Sequence, residues 1–144
     1  MGLAENTVSK AVVLRKEKSR TVCPPGTAFI FRDRWKNPFL PYHSSRHVGF
    51  ERARDGLIMF DELVFRGIAP PSASMTEIIS LRVWRNAALM NARLLRGRDI
   101  GCYCPMNWPC PRSVWVKLVN LLPSDDKDCL HMIEMLKAGR FADA

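Results

Sequence analysis

Between Cys102 and Pro111 the chain sets three cysteines and three prolines into ten residues, CYCPMNWPCP, and no other stretch narrows its folding options so far. The prolines at 105, 109 and 111 lack an N–H and fix φ, so neither a ladder strand nor a helix can run through the segment. On its N-terminal side Ile100 to Cys104 is apolar and of strand length. Gly97 stands before it as a left-handed stop to the amphipathic run that closes with Leu94 and Leu95. On its C-terminal side Trp115, Leu118, Val119 and Leu122 recur at helical spacing, so a helix is expected from about Pro111, a residue suited to a first helical position. A strand thus feeds a helix through a cysteine loop. In α/β sheets, ligands sit in such places, outside the carboxyl end of a strand and against a helix N-terminus.

The rest of the chain supplies neighbours for this unit. Ala11 to Leu14 and Thr27 to Phe31 are short apolar or β-branched runs of strand type. Arg32 to Tyr42 carries two prolines and reads as a loop. Phe50, Ala53, Leu57, Phe60 and Val64 recur at helical spacing, giving a first helix over Val48 to Phe65 with Ser44 or Ser45 as its cap. Ile78, Leu81, Trp84, Ala88, Ala92 and Leu95 form the stripe of a second helix capped by Thr76, with Trp84 on the core side. Ser124 to Asp126 opens a last helix with Cys129, Met132, Ile133 and Leu136 inside. The expected fold is a single α/β domain over residues 1–144, a small sheet with flanking helices in a Rossmann-like three-layer arrangement, with residues 1–9 and 140–144 loosely ordered.

No apolar run approaches the length of a membrane span and the N-terminus lacks the layout of a secretory signal, so a cytoplasmic protein without membrane contact is expected. Five cysteines, an odd number, then argue for reduced thiols rather than a disulfide frame. Of the net charge of +8, a surplus of seven lies before Asp55, where eleven Lys and Arg face four acids. A nucleic acid or a phosphate-bearing small ligand fits that surplus, and so does a solvated basic face.

Three readings of the cysteine loop compete. Cys102 and Cys104, two apart, share one face of a strand. With Cys110 and a fourth donor such as Cys23 or His43 they would make a metal site, but C-x-C-x5-C is not the spacing of the common zinc modules, so neither metal nor cofactor is expected. Cys110, at the helix cap beside Arg112, is the candidate nucleophile, because helix dipole and guanidinium favour thiolate; a base for it has to come from elsewhere in the fold. The third reading is buried, inert cysteine.

Two segments, VCPPGTAFIFRDRWKNPF and LLRGRDIGCYCPMNWPCPRSVWVKLVN, resemble the bacterial and phage family catalogued as domain of unknown function 4326. Arg32, Trp35, Asn37, Pro38 and Phe39 match its first motif; Gly97, Arg98, Cys102, Tyr103, Cys104 and Cys110 match its second. Phe31 replaces a usual glycine and Pro111 a usual histidine, which removes the natural base beside Cys110. The resemblance implies an α/β fold and a phage or nucleotide context rather than a reaction. The expected function is binding of a nucleotide or nucleic-acid end between the two loops, possible chemistry resting on Cys110 or Asp33. Arg32, Arg34 and Arg112 would neutralise phosphate, Asn37 would read a polar edge, Trp35 or Trp108 would stack, and Cys104 and Ser113 would line the pocket. A non-enzymatic phage factor that binds a host protein is the alternative.

Overall fold

In the computed structural model, Ile100, Gly101 and Cys102 form the middle strand of a three-stranded parallel sheet. The structure describes residues 9–17, 20–22, 25–30, 37–39, 49–102, 104 and 106–139. The described residues include five short strands: β1 Ala11–Val13, β2 Arg15–Glu17, β3 Arg20–Val22, β4 Ala28–Phe29 and β5 Ile100–Cys102. In the sheet, β5 lies between β1 and β4, with Ala11 and Ala28 both paired to Ile100 and Val12 and Phe29 both paired to Gly101. All three residues of β5 are buried, as expected of a strand covered on both faces and paired on both edges. Gly101 is required there. A Cβ on it would meet the side chain of Leu14 at 2.8 Å, so Leu14 packs directly on the strand.

Strands β2 and β3 make a separate antiparallel pair, Arg15 opposite Val22 and Glu17 opposite Arg20.

Helices make up most of the remainder. Helix α1, Phe50–Asp61, runs into a π-helical turn, Glu62–Arg66, which Gly67 ends at φ 69°. Helix α2, Met75–Ala92, closes through a 3₁₀ turn, Arg93–Leu95, and is followed by α3, Arg112–Leu121, and α4, Asp126–Lys137. The N-cap of α2 is Ser74 rather than Thr76. Its hydroxyl accepts from the Glu77 N–H at 3.2 Å while the Glu77 carboxylate accepts from the Ser74 N–H at 3.1 Å, a reciprocal box. Gly49 caps α1 without a side-chain bond, and Ser44 and Ser45 lie outside the described residues.

This architecture overturns the Rossmann-like three-layer expectation. Strands of two or three residues offer too little face for a helical layer on each side, and the helices pack largely on one another. The core is a helical cluster closed over β5 and β4: Phe60, Trp84 and Trp115 stack with centroids 5.7 to 6.4 Å apart, joined by Leu89, Leu95, Leu118, Ile133 and Leu136. Trp115 is therefore a core residue, and the partly buried Trp84 packs against that core. Arg85, 4% exposed, threads into this cluster and donates to the carbonyls of Val64, Leu136 and Lys137, tying α2 to the π turn and to the end of α4. No helix among the described residues is long and apolar enough to cross a membrane.

Ser9, expected to be loosely ordered, is buried and exchanges two hydrogen bonds of 2.9 Å with the Asn120 amide. Residues 1–8 and 140–144 lie outside the described residues.

Candidate functional site

Strand alternation brings the first two sulfurs together. Cys102 ends β5, Cys104 follows two residues on, and their Sγ atoms are 3.4 Å apart. The chain then turns back through Met106 to Pro109, where Trp108 sets its ring edge-on against Phe50 of α1 at 5.4 Å. That return delivers Cys110 to the same spot. The three Sγ atoms lie within 4.8 Å of one another, and all three residues are 2% exposed or less.

Helix α3 locks the third sulfur in place. Pro111 is its N-cap, one residue later than Cys110, and the Pro111 carbonyl accepts from Val114 and Trp115. The Cys110 carbonyl accepts from the Ser113 N–H at 3.1 Å and from the Ser113 hydroxyl at 2.9 Å. Ser113 thus binds the loop itself.

The electrostatics run against the expected thiolate. The Cys102 thiol is pushed up to about 12, chiefly by its hydrogen bond with Cys104, with burial adding to it. Hydrogen bonds with Cys102 and then Cys104, with burial behind them, raise the Cys110 thiol far above its ordinary range. A cap position lowers a thiol only when the sulfur faces the helix N–H groups, whereas here it turns into a dry cluster of other thiols. Arg112 does not aim at an open pocket either. It is 2% exposed, and its Nη1 donates to the carbonyls of Cys102 at 3.2 Å and Val12 at 3.3 Å, bridging the carboxyl ends of β5 and β1.

Asn37 is likewise engaged within the chain. Its Nδ2 donates to the Gly56 carbonyl at 3.3 Å, its Oδ1 accepts from the Phe39 N–H at 2.9 Å, and the residue is 3% exposed. Asn37 and Trp108 therefore lean on the same helix, at Gly56 and Phe50, about 9 Å apart along its axis. Arg98, from the second motif, donates to the carbonyls of Gly26 and Thr27 and holds the turn before β4. Arg32, Asp33, Arg34 and Trp35 lie outside the described residues, as do Cys23 and His43. A cavity of about 410 Å³ opens beside Pro38 and Phe39, but Met59, Pro70, Thr76, Ser80 and Leu81 line it and no cysteine does.

The geometry suits a soft cation. A zinc-type ion with bonds of about 2.3 Å to sulfur sets tetrahedral sulfur–sulfur edges of about 3.8 Å, so small shifts of side chains already in place would close three thiolates around it. The pairing of Cys102 with Cys104 follows from strand alternation, which was the signal available in the sequence. No family model matches the chain, and no curated protein or solved structure matches it.

Proposed function

We propose that the protein binds one thiophilic metal ion through Cys102, Cys104 and Cys110. The observation that carries this reading is the convergence of three buried sulfurs from a strand end and a helix start, within 4.8 Å. Buried cysteines pack well as small apolar groups in ones and twos. Three thiols that share hydrogen bonds and resist ionisation are an unfavourable set of anions alone, but a cation supplies the charge that lets them ionise together. Three thiolates leave one tetrahedral position for a fourth donor: a further protein ligand would make the centre structural, and water or substrate would make it reactive. The metal would in either case staple β5 to α3.

The test is titration of reduced, metal-stripped protein with Cd2+ or Co2+, following sulfur-to-metal charge-transfer absorption. One ion per chain, lost in Cys104→Ser and in Cys110→Ser, is the expected result. An absent band, or a band unchanged in both variants, rejects the reading.

A second reading, binding of a nucleic acid or other phosphate ligand, is favoured by the charge. The surplus before Asp55 includes Arg15, Lys16 and Arg20 of the β2–β3 ribbon, and a two-stranded ribbon is a shape that a duplex groove admits. Neutralising about six to eight phosphates predicts an affinity that falls on the order of a thousandfold from low to physiological salt, measurable by fluorescence anisotropy with a labelled duplex. Salt-independent binding, or none, leaves the charge as a solvated face.

A further inference from the structure

We infer that Arg112 is a counter-charge for the cysteine centre and tilts it toward divalent ions over trivalent ones; the inference rests on the metal reading above and names the ion class. Arg112 is tied to two of the three sulfur-bearing residues. It follows Cys110 by two positions, and its Nη1 bonds the Cys102 carbonyl at 3.2 Å. That same carbonyl accepts from the Leu14 N–H at 2.8 Å, so the Cys102 backbone is fixed from two sides. The guanidinium is 2% exposed, so solvent screens its charge only weakly.

Charge arithmetic gives the consequence. Three thiolates carry three negative charges, so a divalent ion leaves the assembly at minus one and trivalent arsenic leaves it neutral. A buried positive group favours the more anionic of the two. Unit charges roughly 6 Å apart in an effective dielectric of about 20 interact strongly enough to shift an equilibrium about a hundredfold. Both reactions balance without a redox step. Cd2+ displaces three protons from three thiols, whereas arsenous acid condenses with three thiols to form three As–S bonds and release three waters.

The experiment measures the affinities of Cd2+ and of arsenite for the full chain at one pH, and takes their ratio. In Arg112→Lys, which keeps the charge, the ratio is expected to stay within a few-fold of the unaltered protein. In Arg112→Gln it is expected to fall ten- to a hundredfold toward arsenite. A residue that only props up the loop would weaken both ligands alike and leave the ratio unmoved, and that result in Arg112→Gln overturns the inference. Should Arg112→Gln fail to fold, citrulline at 112, a neutral group of the same shape installed by ligating a synthetic 110–144 segment at Cys110, gives the same comparison. Failure of the unaltered protein to bind either ligand rejects the metal reading itself, which is a different outcome from binding both with an unmoved ratio.

Discussion

At the scale of single residues, burial decides what the cysteines do. Iodoacetamide reacts with thiolate, and Cys110 is buried with its proton held by two neighbouring thiols. Limited alkylation of the folded, metal-free protein at neutral pH should therefore leave Cys110 unmodified, with labelling only after urea; peptide mapping that finds it labelled first would restore the activated nucleophile. The same protons set an alkaline limit. An unfolded Cys102 ionises near its ordinary 9.0, while the folded one holds its proton to about 12. Between those values the unfolded state binds fewer protons, so metal-free stability should fall as pH rises from about 9 to about 12 and change little on this account below 9. Urea midpoints at pH 8, 9.5 and 10.5 measure it, and a decline that is equally steep in Cys102→Ala rules it out. The pairing of Cys102 with Cys104 was legible from a spacing of two. That Cys110 joins them was only one of three readings open, because a loop with Pro105 and Pro109 has no periodicity to extrapolate, and the burial of Arg112 was not legible, since arginines are rarely inside.

At the scale of elements, helices were easier to read than their ends. Apolar spacing located the four α-helices of the described residues, and Pro111 and Asp125 mark two starts within a residue or two of those expected. Ser74 and Thr76 are both common cap types, and the reciprocal bonds with Glu77 single out Ser74. Ser74→Ala should cost about 1 kcal/mol, and Thr76→Ala much less by the same chemical denaturation; equal losses would argue against the box. The π turn left no signal, since it follows from tertiary demand. Its Val64 carbonyl takes the Arg85 Nε, while the other nitrogens of that guanidinium satisfy the last carbonyls of α4, where a cation also suits the helix dipole. Arg85→Met keeps much of the volume and strips buried acceptors of their donor, so a loss of about 3 kcal/mol is expected. A urea midpoint close to the parent's would mean that water replaces those bonds freely.

At the scale of the whole molecule, strand-to-helix order misled because it says nothing of strand length. Ile100 to Cys104 reads as the central strand of a small sheet with a helical layer on each face, yet β5 is Ile100–Cys102 and its neighbours span two or three residues, so the parallel sheet contributes a short spine on which a helical core closes. That core meets the spine through α3, which packs on β5 and β1, and the cysteine loop is the covalent link between β5 and α3. A metal ion there would join them a second time, through the side chains. Because an unfolded chain does not hold its three sulfurs together, binding is coupled to folding, and metal at about a thousand times its dissociation constant should add about 4 kcal/mol to stability. For a chain of this length that corresponds to a rise of roughly 10 °C or more in Tm. Calorimetry of the reduced protein with a small excess of Cd2+, against the same protein with chelator, measures the shift, and Cys104→Ser is expected to abolish it. A Tm indifferent to metal, or a shift that survives in Cys104→Ser, would mean that the sulfurs are packing groups and that the spine and the helical core are held together without metal, by apolar contacts and the hydrogen bonds of Arg112 and Asn120.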